Sequence, residues 1–249
     1  MKNVKYLLMF VTISACLFAS SQRVDALGGN VGYWASDDNS YTAFPASING
    51  GNLAQISGIN STAGSAVVRW GEGTKWGFSW SQSAAAKNDL INLQYGNGDY
   101  GATFGLSMWA ADDGIAETAG GDNAGAASSM GLSASYGRNM DFGEIGVGFS
   151  TWSKDDGVTS TAAAEDFDPA NMSLWFNLRR AQSLWIFDNM LAGFSYGSAN
   201  AGVKEDQTTM GLGVSYYTHI DIGGSTKALL AVGFAYSSVT NVGGTLDKT

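Results

Sequence analysis

The sequence predicts an all-β fold, an antiparallel transmembrane β-barrel, from three patterns along the chain. Residues 128–137 alternate strictly, with large side chains such as Met130 and Leu132 on one face and Gly131 and Ser133 on the other. Later segments repeat this two-residue period, and their second face carries Gly and Ser instead of the charged residues typical of a soluble sandwich. Short and long connections alternate along the chain, which is typical of an outer-membrane barrel.

The first 26 residues have the pattern of a cleaved secretory signal. Two lysines precede an apolar run at 6–19, and Val24-Asp25-Ala26 supplies compact residues for a signal peptidase. In an alternative interpretation, Ile13-Ser14-Ala15-Cys16 is a lipoprotein signal and Cys16 is the lipidated first residue; the apolar run continues past Cys16, which favours ordinary cleavage. The run is shorter than the ~20 residues of a spanning helix.

Composition argues against several functional classes. Removal of residues 1–26 leaves 10 basic against 21 acidic residues, a net charge of about −11, which argues against nucleic acid as a partner. The only cysteine leaves with the signal, and His219 is the only histidine, so no transition-metal cluster is expected. A Ser–His–acid site would have to use His219, which is more simply a polar residue at a strand end. We therefore predict no enzymatic activity and no cofactor.

Eleven strands are predicted between residues 51 and 249, the part of the chain assigned to the barrel. They alternate with short connections near 71–74, 97–99, 138–142, 180–185 and 220–226 and with longer ones at 59–64, 83–89, 111–127, 154–170 and 198–206. The predicted strands are 53–58, 65–70, 75–82, 90–96, 100–110, 128–137, 143–153, 171–179, 186–197, 207–218 and 227–238.

An N-terminal segment, residues 27–50, does not alternate and precedes the first strand. It contains Gly28-Gly29, then Asp37-Asp38, then Pro45-Ala46-Ser47-Ile48. This order resembles the N-terminus of the FadL-like and PorV-like outer-membrane barrels, although Phe44 stands where the family has Asn. The resemblance implies that the segment tucks into or under the barrel as a plug-like or periplasmic element.

The predicted location is the outer membrane of a diderm bacterium, with membrane lipid and small solutes as partners. We expect a passive conduit for small molecules, and the FadL-like resemblance implies that these are hydrophobic. The PorV-like resemblance implies an alternative, a non-conducting barrel that shuttles or docks secreted proteins. A purely structural outer-membrane protein is a further alternative.

Two sets of polar residues are candidate functional residues. By strand parity, five side chains point into the lumen, where opposite charges could form a network or a constriction: Arg69, Glu144, Trp175, Asn177 and Arg179. Nine carboxylates lie in two long connections, where they would gather or bind divalent cations or be merely solvated: Asp112, Asp113, Glu117, Asp122, Asp155, Asp156, Glu165, Asp166 and Asp168.

The strand count predicts that the barrel is incomplete at its C-terminus. Single-chain bacterial barrels close with an even number of strands, because an open edge in lipid leaves backbone groups unpaired. Eleven or twelve strands are present of an expected twelve to fourteen, and residues 239–249 have the polar character of an outer loop. We therefore expect an open edge beside strand 227–238.

Overall fold

The structure is a computed structural model that describes residues 30–58, 64–83, 88–110, 128–155, 170–200, 206–223 and 226–242. The predicted signal, residues 1–26, lies outside the described residues. Three short 3-10 helices come first: η1 (Val31–Tyr33), η2 (Asp38–Thr42) and η3 (Pro45–Gly50). Among the described residues, no helix has the length and apolar character needed to cross a membrane.

The prediction of an all-β antiparallel fold is confirmed. The described strands form one sheet in chain order, in which each strand pairs antiparallel with its neighbours along the chain. These strands are β1 (Leu53–Ser57), β2 (Ser65–Trp70), β3 (Thr74–Ser83), β4 (Asn88–Asn97), β5 (Tyr100–Ala110), β6 (Ser128–Met140), β7 (Gly143–Asp155), β8 (Ala170–Leu184), β9 (Phe187–Asn200), β10 (Asp206–Gly223) and β11 (Thr226–Val242).

Several predicted strand ends are wrong, because the hairpins extend further than the apolar pattern does. β8 continues through the predicted turn to Leu184, and the chain reverses at Trp185 and Ile186. β10 likewise runs on to Gly223, and β11 includes 239–242, which the sequence had placed in an outer loop. The hydrogen bonds between paired strands join backbone groups and do not depend on which side chains the strands carry. Polar residues therefore extend a strand wherever its partner strand is present.

The two faces of the sheet show the reverse of the burial found in a water-soluble protein. Along β6, Met130 and Leu132 are 55% and 38% exposed, whereas Gly131 and Gly137 are buried. Exposed large apolar residues occupy the same face from β1 to β11, from Ile56 to Tyr236. We call this the outer face and the glycine-rich and serine-rich side the inner face.

The sheet curves around the N-terminal segment, residues 30–50. Within the segment, Tyr41 lies over Arg69 of β2, and Tyr33 contacts Tyr217 of β10 with ring centroids 5.0 Å apart. In a flat sheet β2 and β10 would lie about 38 Å apart, since eight spacings of ~4.8 Å separate them. The short segment of 3-10 turns contacts both β2 and β10 only because the sheet curves around it.

The sheet is not closed, which is consistent with part of a barrel. β1 and β11 are its two edges, and within the described ranges β11 pairs with β10 alone. The open edge expected beside strand 227–238 is therefore observed.

Candidate functional site

The N-terminal segment is ordered by side chains that cap its short helices. The Asn30 side chain accepts a hydrogen bond from the Gly32 amide at 2.8 Å, and Asp37 accepts one from the Asn39 amide at 2.9 Å. Pro45 begins η3 and fixes φ at its start. These residues make the segment a defined element, with Phe44 and Ile48 fully buried.

A register row of glycines on the inner face receives this segment. Gly96, Gly101, Gly137 and Gly146 pair with one another across β4 to β7 and are all buried. We call these four residues the glycine row. The same register continues through Asn177 of β8.

The glycine row is needed because the segment's backbone lies directly on it. A Cβ at Gly137 would lie 2.7 Å from the Ala46 amide nitrogen, and one at Gly101 would overlap the Pro45 carbonyl. At Gly146 it would overlap the Ala43 carbonyl. Backbone atoms cannot move aside as a flexible side chain can, so any larger residue would displace the segment.

Two amide side chains fasten the segment to the sheet. The Asn177 side chain donates to the Ala43 carbonyl at 3.3 Å, and Asn49 of the segment donates to the Tyr100 carbonyl at 2.9 Å. Trp175, two residues from Asn177 on the same face, covers Gly148, where a Cβ would overlap its indole. Trp175 and Asn177, two of the three lumen candidates of β8, therefore lie on the inner face, and Asn177 contacts the segment.

Arg179 and Glu144, predicted to face the lumen, form an ion pair on paired strands. The Arg179 side chain is 7% exposed and also donates to the Gly32 carbonyl at 3.0 Å. Its guanidinium lies 4.2 Å from the centroid of the Phe44 ring. One buried cation thus joins η1, the N-cap residue of η3 and two strands, and Phe44 supplies an aromatic face for it.

Arg69, the remaining lumen candidate, is 2% exposed and lies far from that ion pair in the sheet order. Its Nε donates to Gln94 at 3.3 Å, and its guanidinium lies 5.0 Å from the centroid of the Tyr41 ring. Asp38 is close enough to interact electrostatically with it. Burial raises the pKa of the Tyr41 hydroxyl, an effect that Arg69 partly opposes, so Tyr41 remains a neutral hydroxyl at pH 7.

Cavities lie on both sides of the segment. One of about 470 Å³ lies toward the long connections and is lined by residues of η2 and by strands β1 to β8, including Tyr41 and Trp175. Another, of about 440 Å³, lies toward the short turns and is lined by Asp37, Asp38, Glu144 and Arg179 among others. The segment therefore separates a charged cavity from one whose described lining carries no charge.

Most of the remaining candidates lie outside the described residues. Eight of the nine acidic candidates lie outside the described residues, and for Asp155 only its backbone position at the end of β7 is described. His219 lies 4.5 Å from Trp34, measured between ring centroids. Within the described ranges, no group of three or more His, Cys, Asp or Glu side chains could hold a metal ion.

Sequence reasoning missed several residues that build the site. Phe44 and Gln94 are buried and Tyr41 is half-buried in or beside the segment, but their sequence shows only strand parity or a place in a non-alternating stretch. The one sequence signal that could have identified part of the site is a polar residue on the small-residue face, such as Gln94 between Asn92 and Gly96. No protein-family model, curated protein or solved structure matches this chain.

Replacement of Gly101 by Ala should loosen the N-terminal segment. The new Cβ would overlap the Pro45 carbonyl, and such overpacking costs about 1–3 kcal/mol. Limited proteolysis of the refolded protein should then cut within residues 30–50 more readily. Gly213→Ala is the matched control, since its Cβ would meet nothing nearer than 3.9 Å. Equal protection of the segment in both variants would contradict the close backbone contact.

Replacement of Glu144 by Gln should destabilise the protein by about 3 kcal/mol, because it leaves the buried Arg179 guanidinium without its counter-charge. The double variant Glu144→Leu with Arg179→Met should regain most of that loss, since it removes both charges. Urea titration in lipid vesicles measures each free energy of unfolding. A double variant as unstable as Glu144→Gln would show that the ion pair is not the dominant contribution.

Proposed function

We propose that this chain forms a bacterial outer-membrane β-barrel that serves as a passive conduit for small molecules, with the N-terminal segment as its plug. The observation that carries the proposal is the inverted burial of the sheet, large apolar side chains exposed and glycines buried. In water, a contiguous apolar surface beyond a few hundred Å² marks an interaction site or an aggregation hazard. In a bilayer, it is the surface that lipid covers.

Strand length supports the same environment. Each strand from β3 to β11 has ten or more residues, and a tilted strand needs about 9–11 to cross the hydrocarbon core. The register places apolar residues of neighbouring strands side by side, for example Leu132 opposite Leu106. A continuous apolar band of this kind is what a lipid-facing barrel wall requires.

The polar inner face favours a conduit and argues against a packed hydrophobic core. Hydroxyl and amide side chains line the 470 Å³ cavity, and the N-terminal segment lies between this cavity and the short turns. By its order of Gly-Gly, Asp-Asp and Pro-Ala-Ser, the segment resembles that of FadL-like and PorV-like barrels. Displacement of such a plug would connect the two sides of the barrel.

A specific observation favours the alternative, a non-conducting barrel that docks or shuttles secreted proteins. Phe44, Ala46 and Ile48 are at most 1% exposed, and Arg179 and Asn177 tie the segment to the sheet. A plug held so firmly would close the barrel permanently. The two functions differ in whether the segment moves.

Lipid contact can be tested on β6. Leu132→Arg should cost about 2–4 kcal/mol near the bilayer midplane, and Met130→Arg a similar amount, because each would place a charge in hydrocarbon. Ser133→Arg, one residue away on the inner face, should cost much less. Unfolding titrations in lipid vesicles compare the three variants. Equal losses at Leu132 and Ser133 would reject the assigned faces.

Conduction can be tested by single-channel recording of the refolded protein. We expect small or rare steps for the unsubstituted chain and larger, more frequent steps for Gly101→Ala, whose plug is loosened. Gly213→Ala should behave like the unsubstituted chain. Silence of all three proteins in the bilayer, with correct folding, would favour the docking alternative.

A further inference from the structure

The 470 Å³ cavity above the N-terminal segment has a lining rich in hydroxyl and amide side chains. Among the described residues that line it, none is Asp, Glu, Lys, Arg or His. Tyr41 lines it on the side of the segment, and its hydroxyl, whose pKa burial raises further above 7, is neutral. Such a lining discriminates by hydrogen bonding and not by charge.

Two amide oxygens of this lining have no hydrogen-bond partner among the described residues. Asn92 Oδ1 and Gln55 Oε1 are buried, and the described residues offer neither a hydrogen bond. An acceptor left unpaired in a buried position costs free energy, so a donor that reaches either oxygen from the cavity would be favoured over an apolar group. A hydrocarbon chain in this cavity would leave both oxygens unpaired.

Hydroxyl groups paired across strands add further hydrogen-bonding capacity. Thr103 and Ser135 are joined by a hydrogen bond of 2.7 Å, and Ser150 and Ser173 by another of 2.7 Å. A hydroxyl can donate once and accept twice, so each pair still has acceptor sites for a third group. Side chains with both functions, held in rows by the sheet, suit a ligand that carries several hydroxyls.

Aromatic rings supply much of the apolar part of the lining, together with Val67, Leu90 and Ala134. Trp175 is held over Gly148, and the Tyr41 ring is backed by the Arg69 guanidinium. Flat aromatic faces next to hydrogen-bonding groups fit a ring that has apolar C–H faces and polar edges, as a pyranose does. A charged solute would find no counter-charge in the described lining.

We propose that this cavity binds neutral polyhydroxylated solutes of the sugar and polyol class. The inference rests on the proposed conduit function, whose substrate class it names. It replaces the hydrophobic cargo that the family resemblance implies.

Binding to the refolded full chain in detergent micelles tests this assignment by isothermal titration calorimetry. The probes are maltose as a neutral sugar, gluconate as a charged polyol and decanol as an apolar alcohol. We expect saturable binding of maltose, weaker binding of gluconate and no specific binding of decanol. Specific decanol binding without maltose binding would overturn the proposal.

Asn92→Leu removes the unpaired amide at nearly constant volume and should weaken maltose binding by about tenfold, the loss expected for one hydrogen bond. Gln55→Leu should act in the same direction. Asn97→Leu, on the same strand but exposed at the short turn, is the matched control and should bind maltose normally. Unfolding titrations show whether each variant still folds. Maltose affinity unchanged in both cavity variants would also overturn the assignment.

Conductance separates this inference from the proposed function. Discrete channel steps with no maltose binding would leave the conduit in place and remove its assigned substrate. Maltose binding that Asn92→Leu weakens, in a protein without channel steps, would retain the binding site and reject the conduit.

Discussion

Contact between two backbones constrains the inner face of this protein. The Pro45 carbonyl and the Ala46 amide lie against Gly101 and Gly137 so closely that no side chain fits between them. Glycine in these strands alternates with larger apolar residues such as Ala102 and Tyr136. A slip of one residue in strand register would turn those residues inward and displace the segment, so the position of the segment and the register of the sheet depend on each other.

Charge on the inner face is concentrated where the N-terminal segment meets the sheet. Arg179 is shared among Glu144, the Gly32 carbonyl and the Phe44 ring, which spreads one cation over the segment and two strands. Arg69 has instead Gln94 and the Tyr41 ring as its neighbours. These buried cations fix the segment at its two sides, and the cavity above is left neutral. That separation gives the proposed conduit a charged base and an uncharged chamber.

The composition of both faces of the sheet follows from the two-residue alternation of the sequence. Alternation places Leu and Met outward, where the proposed bilayer would cover them, and places Gly and Ser inward. Glycine permits the segment to approach, and Ser and Thr provide hydroxyls further along the same strands. The chemistry of the cavity therefore differs from what the N-terminal resemblance implies about cargo, because that resemblance concerns the N-terminal segment and not the strands that line the cavity.

The sequence by itself determined the number and order of the described strands and their antiparallel pairing. It also determined the face on which the five lumen candidates lie, because a two-residue period fixes the side of every side chain: Arg69, Glu144, Trp175, Asn177 and Arg179. It could not determine strand ends such as Leu184 and Val242, since backbone pairing continues wherever a partner strand is present. Only the tertiary structure decided that four glycines on four strands meet one segment and that Tyr41 covers Arg69. These contacts join residues far apart in the chain, and a local sequence pattern cannot show which distant backbone segment packs against a buried glycine.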